Sequence, residues 1–293
     1  MTTTTAAPSL PIEGVHIDVP AARYHSWPAC SASALRKLST STVAHLRWQL
    51  EHPLESAAMR LGSALHCLVL EQPRYDAEYR VAPECDRRTT AGKAVYAEFL
   101  ASIGDRTVIT ADESARVEEM ARQIAIHPSA CELLRQSTIR EASCVSSIDG
   151  CPVKCRVDAA SPDWRLVVDV KTTSGLASRS EFERAIASFG YGIQAAHYRE
   201  VIRAATRRAD AATHIAFIVV ESDAPHEVAC YRLDDAVIGL FAQRLPRLRR
   251  EWHHAMTASL GSRASRAGWS TMVQEIGVPP WLRRQLEEEV CDE

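Results

Sequence analysis

The order of patterns along the chain predicts an α/β domain built on a central mixed β-sheet flanked by helices. Three observations carry that prediction. Apolar residues recur at helical spacing through residue 134, as in 56–70, where Met59, Leu65, Leu68 and Val69 mark one side. The period then drops to two in 139–149 and 152–160, joined by Asp149-Gly150, and Asp-Gly between alternating runs is a hairpin signal. Finally, 214–221 (HIAFIVVE) is almost continuously apolar, as expected of a central strand covered on both faces. Strands interleaved with helices make an α/β fold.

The elements follow in order. Residues 1–20 are rich in Thr, Ala and Pro and are expected to be a disordered tail. Ser31 or Ser33 can cap a helix carrying Leu35 and Leu38, and Ser39 to Thr42 can cap a second, with Val43, Leu46 and Leu50, that Pro53 stops. In 56–70, Gly62 and Ala64 are small enough for close packing. The segment 74–92 is polar and is expected to be irregular. Helices are predicted over 93–101, 111–126 and from Pro128 to Leu134. After the hairpin, 165–171 (RLVVDVK) is a third strand, 180–189 and 193–206 are helical, and 227–233 is a last strand. Residues 234–258 and 279–290 read as helices.

Composition narrows the function classes without choosing one. The 293 residues are 46% hydrophobic and carry a formal net charge of −3, so any nucleic-acid contact has to be local rather than a global basic footprint. Nine cysteines occur without a CxxC pair, which argues against zinc and fits reduced thiols in a cytoplasmic setting. The N-terminus does not read as a signal peptide, so none is expected, and no apolar run approaches the length of a membrane span.

Chemistry concentrates on two strands. Alternation puts Lys154, Arg156 and Asp158 on one face of the second hairpin strand, and Val167, Asp169 and Lys171 on one face of the next. If those strands are neighbours, Asp158 and Asp169 converge with Lys171 beside them. Two carboxylates in an apolar setting repel, and a divalent cation that prefers hard oxygen ligands, Mg2+ or Mn2+, relieves that. A lysine at that distance can orient or deprotonate the attacking water and offset phosphate charge. Charged strand residues are ordinarily solvated, so spacing alone leaves that reading open; against it, Asp169 and Lys171 interrupt a Val-rich strand.

Asp158 followed by Val168-Asp169-Val170-Lys171-Thr172-Thr173 resembles the PD-(D/E)XK nuclease superfamily, and more finely the RecE-like (exonuclease VIII) phage-type exonucleases. Four further segments agree in order: Ser31-Ala32-Ser33-Ala34-Leu35, Gly62 to Glu71 around His66, Glu141-Ala142-Ser143, and Gly190 to Tyr198. Gln72 before Pro73 is a small departure. The resemblance implies a restriction-endonuclease-like core within 21–240, with N-terminal helices at 30–134 and a catalytic sheet at 139–233; beyond it 241–293, which carries no motif, is read as a C-terminal helical extension. It implies magnesium-dependent exonucleolytic digestion of linear double-stranded DNA, 5′ to 3′, in phage-type (prophage) recombination with a single-strand annealing recombinase, by a ring-forming homo-oligomer. By analogy His66, Asp158, Asp169 and the Val170 carbonyl ligate metal, and Lys171 serves the attacking water. Gln194 and Tyr198, at i and i+4, contact the site or the DNA backbone, or simply tie their helix to the sheet. His66 has the plainer reading of a core histidine. Lys154 and Arg156 are phosphate contacts or a solvated face, Glu141 is a metal ligand or supports one, and Arg87, Arg88 and Lys93 form a basic loop. Only Cys230 and Cys291 follow Lys171, too few for the iron–sulfur cluster of some relatives. A same-fold nuclease acting on single-stranded or structured DNA, and a non-catalytic DNA-binding or assembly module, are the competing expectations.

Overall fold

The computed structural model describes residues 9–52, 56–258 and 268–291. Part of the expected tail, 1–8, and the expected helix stop at Pro53 lie outside the described residues. The chain opens with β1 (Gly14–His16), α1 (Ala21–Ser26) and the two-residue β2 (Cys30–Ser31). The expectation of a tail through residue 20 is therefore corrected: β1 pairs with the later hairpin, Gly14 opposite Val145. Three residues of edge strand carry too little pattern to be seen without their partner.

The helices α2 (Ala32–Thr40), α3 (Val43–Glu51) and α4 (Ala57–Leu70) follow, capped by the side chains of Ser31, Thr42 and Ser56. Then come α5 (Gln72–Glu78), β3 (Tyr79–Val81), α6 (Thr90–Ile103), β4 (Thr107–Ile109), α7 (Ala111–Ile126) and α8 (Pro128–Gln136). The start of 74–92, expected to be irregular, is thus ordered: Tyr75 and Tyr79 stack with centroids 4.9 Å apart, and β3 and β4 form a small parallel pair. A polar sequence conceals an element stabilised by two aromatic rings. The core follows as β5 (Ile139–Ile148), β6 (Cys151–Ala160), β7 (Leu166–Thr173), α9 (Arg179–Ser188), α10 (Tyr191–Thr206), β8 (His214–Glu221) and β9 (Val228–Arg232). The chain then runs through α11 (Asp235–Ala242), α12 (Leu245–Thr257) and α13 (Pro280–Cys291). Asp149 and Gly150 both have positive φ, 52° and 72°, as the predicted tight hairpin turn requires.

The large sheet runs β1-β5-β6-β7-β8-β9, with β2 also paired to β6. It is mixed: β7 and β8 are parallel, joined by the α9–α10 crossover, and β5, β6 and β7 are antiparallel. One face packs on α2, α10 and α12 through residues such as Leu35, Ile193, Phe217 and Leu248; the other packs on α4 and α7 through Leu65, Val117, Val168 and Ile218. Leu245, Leu248, Trp252 and Ala255 are buried in the first of these clusters, so α12 of the C-terminal stretch packs on the sheet's core. Among the described residues, no helix is long and apolar enough to cross a membrane.

One irregularity positions the site. β6 and β7 pair only at Ala159–Val168 and Ala160–Val167, and β2 takes the same edge of β6 at Val153 and Lys154. Between these two pairings β6 and β7 splay, and Asp158 sits at the opening. The alternation also changes phase there. Val153, Cys155 and Val157 face the α10 side, Ala159 faces the α4 side, and Ala160 returns to the α10 side.

Candidate metal centre

The site is built where the strands part. Asp158 Oδ2 accepts the backbone N–H of Val170 at 2.7 Å, so a side chain replaces the ladder bond that the splayed strands lack. Across the β5–β6 ladder, Arg140 faces Ala159 and Ala142 faces Val157, which puts Glu141 opposite Asp158. Glu141 adopts φ 44°, a left-handed conformation that is unusual within a strand. Strain of this kind costs on the order of 1–3 kcal/mol and concentrates at functional sites.

His66 comes from α4, which packs closely enough for a Cβ on Gly62 to lie 3.4 Å from Thr172 Oγ1. The closeness expected of Gly62 is thus used against the strand that carries Asp169 and Lys171. His66 Nε2 donates to the Val170 carbonyl at 2.7 Å. The other ring nitrogen, Nδ1, then carries a lone pair and faces Asp158 Oδ2 at 3.4 Å. A ring N–H given to a backbone carbonyl is the usual way a ligating histidine is oriented. The Val170 carbonyl, expected as a ligand itself, is committed to this bond with one of its lone pairs.

Ligand atoms of His66, Glu141 and Asp158 lie within 4.8 Å of one another. Burial raises the Asp158 carboxyl to about 8, reinforced by the charge of Asp169 and opposed by Lys171. Glu141 is raised by burial and by Asp158, opposed by Arg156. Burial, then Lys171, pulls His66 below its ordinary value. Three groups that each disfavour their charged form around a common point, with lone pairs converging, fit a divalent cation.

Asp169, 3% exposed at its side chain, is held from the other side. Its Oδ1 accepts from Gln194 Nε2 at 2.6 Å, and its Oδ2 pairs with the Lys171 ammonium. Burial lowers Lys171, but the carboxylates of Asp169 and Asp158 outweigh it and hold the lysine above its ordinary value. Lys171 Nζ also lies 5.0 Å from the Tyr191 ring centroid. Tyr198, one helical turn beyond Gln194, packs partly buried against the core. Burial raises its phenol, helped by the charges of Asp169 and Asp158.

One expected DNA contact is corrected. Lys154 is 5% exposed, and its ammonium donates to the carbonyls of Tyr24, His25 and Trp27 at 2.8, 3.1 and 2.8 Å. Every donor is used internally, leaving none for a phosphate. Arg156 donates to Glu141 Oε2 at 2.6 Å and to the Val19 carbonyl at 2.8 Å, which gives it a site-supporting place beside Glu141. Residues 19–27, which cover both side chains, begin within the stretch expected to be tail. Conversely, the sequence gives no sign of Arg36: its guanidinium lies 5.1 Å from the Tyr191 centroid, and nothing in the spacing of α2 marks it. Tyr191 is visible in the sequence only as a letter of the Gly190–Tyr198 pattern.

Among curated proteins, none matches the chain. The fold is similar to that of a protein from Eubacterium rectale described as a "putative exonuclease". The two are 12% identical with a TM-score of 0.56, covering 90% of this chain and 97% of that one; at that identity the likeness is one of fold. The mixed central sheet and its flanking helices are those of the restriction-endonuclease-like fold. Residues 22–262 match the PDDEXK-like domain of unknown function (DUF3799), and the chain belongs to that family.

Proposed function

We propose that this protein is a metal-dependent DNA nuclease. Its inferred substrate is linear double-stranded DNA, digested from its ends, 5′ to 3′, with Mg2+ as the physiological cation and Mn2+ as a substitute. The observation that carries the reading is the meeting of the His66 Nδ1 lone pair with Asp158 Oδ2 at 3.4 Å, next to Glu141. The family and the fold support the same chemistry.

In this reading His66, Asp158, Asp169 and Glu141 hold the cation, with the Val170 carbonyl orienting His66 or adding a ligand. A divalent cation there supplies Lewis acidity toward the phosphate and lowers the pKa of water. Gln194 fixes the orientation of Asp169 through Oδ1. Lys171, favoured as an ammonium by Asp169, donates to the attacking water and offsets charge on the phosphate. Tyr198 lies on the Gln194 face of α10 and is assigned to the site or the DNA backbone. End-dependence, polarity, ring assembly and work beside an annealing recombinase rest on the RecE-like resemblance.

The test is digestion of 5′- and 3′-labelled linear duplex with Mg2+. Shortening from the 5′ end by the wild type, absent in Asp169→Ala and with EDTA, is the expected result. Equal cutting of closed circles would overturn end-dependence. Preference for single strands or junctions would move the substrate, and binding without any cleavage would leave a non-catalytic module.

A further inference from the structure

Beside Lys171 the surface carries a second set of groups that the metal chemistry does not use. Phe189 ends α9 and is 58% exposed, a large apolar ring at the rim of a site otherwise built from charges. It is 5.7 Å from Tyr191, centroid to centroid, and Tyr191 is in turn 5.0 Å from Lys171 Nζ. Arg36 is fixed to the same turn: its Nε donates to the Phe189 carbonyl and its guanidinium lies over Tyr191. Between the two aromatics Gly190 is buried with φ 67°, and a Cβ there would come within 3.1 Å of Arg36 Cγ. Glycine therefore allows both the left-handed turn and the close seating of the arginine.

The arrangement is rigid, cationic and aromatic. Lys171 is neutralised by Asp169, whereas the two terminal nitrogens of Arg36 have no hydrogen-bond partner among the described residues. A planar fork of free donors beside a reactive site suits a phosphate, and an exposed ring suits the face of a base. Single surface aromatics are common and mean nothing alone; here the ring is tied through Tyr191 to the lysine of the site.

We infer that Arg36, Phe189 and Tyr191 form a nucleotide-holding platform beside Lys171, with a base of the DNA strand stacked on Phe189 and an adjoining phosphate paired with Arg36. The inference rests on the nuclease reading for the choice of DNA as ligand.

A duplex oligonucleotide with 2-aminopurine at its terminal nucleotide tests this in the full-length protein, in EDTA for binding and in Mg2+ for cleavage. The wild type is expected to quench the fluorophore on binding. Phe189→Ala should abolish the quenching and raise KM about tenfold, more than it lowers kcat, and Phe189→Trp should restore both. Arg36→Gln should weaken binding and reduce the slope of log K against log salt by about 0.7–0.9, one phosphate contact. Quenching, KM and salt slope all unchanged in a protein that cleaves DNA would overturn the platform and leave the nuclease intact. Quenching lost in Phe189→Ala while the wild type cleaves nothing would sustain the platform and overturn the nuclease. Failure of the wild type to bind the duplex at all would overturn both.

Discussion

Glu141 stands directly across the β5–β6 ladder from Asp158, in a left-handed conformation at φ 44°, and its carboxylate is tied to Arg156. Two acids facing each other on adjacent strands, both pushed toward their neutral forms, constitute a site whose metal-free state is electrostatically frustrated. That frustration, with the bonds around it, decides what each substitution does.

Replacing Asp158 by Asn removes a buried charge while keeping an oxygen to accept from the Val170 N–H. Without metal at pH 8, Asp158→Asn should therefore melt higher than the wild type, by about 2–4 °C for each kcal/mol relieved. Cleavage and the stabilisation by Mg2+ should both be lost. Calorimetry with and without cation checks this, and a lower melting temperature in metal-free Asp158→Asn would sink the frustration argument.

The wild type should show the corresponding pH dependence. Asp158 titrates near 8 in the folded state against an ordinary 3.8, so the folded protein binds more protons between those values. Its contribution to stability is complete below about pH 4 and is lost as pH rises through about 8. Metal-free melting temperature should decline across that window relative to Asp158→Asn, and the gain on adding Mg2+ should grow with pH, because the cation takes the place of the proton. A gain independent of pH would show that the cation binds elsewhere.

Lys171→Ala should lower kcat by about 10²–10⁴-fold, the range for a group serving proton transfer and charge stabilisation at the reacting centre. Binding of duplex in EDTA should change little, since the lysine is paired with Asp169 rather than free. Single-turnover rates and an equilibrium binding titration separate the two, and a parallel loss of both would make Lys171 a binding residue.

Lys154→Met should destabilise the fold by about 2–4 kcal/mol, because three carbonyls, those of Tyr24 and Trp27 in buried bonds, lose a charged donor. The salt dependence of DNA binding should stay as in the wild type. Urea unfolding and a salt titration report the two effects; a reduced salt slope would restore the phosphate-contact reading.

Much of this centre is legible in the amino-acid sequence. Asp149-Gly150 announces the hairpin, and an unbroken apolar run announces β8, because both signals are local. Asp158, Asp169 and Lys171 stand out on their strands because alternation is a rule of geometry, but the ligand atoms that come within 4.8 Å of one another are those of His66, Glu141 and Asp158, without Asp169. Their partner His66 is visible through family likeness alone, since a histidine on an apolar helix carries no periodic mark. What stays hidden depends on distant chain. The phase change at Asp158 arises where β7 leaves β6, and Lys154 and Arg156 look exposed because charge is ordinarily solvated. Their cover is residues 19–27, whose backbone carbonyls have no sequence signature.

β2 docks on the same edge of β6 that β7 vacates, Cys30 beside Val153. The two segments are more than a hundred residues apart, so this seam closes a long loop. During synthesis Ser31 and its helix emerge well before the edge they occupy exists. The cleft around Asp158 therefore takes its final form only after β6 has been made, and a nascent chain cannot assemble the centre from its N-terminal half.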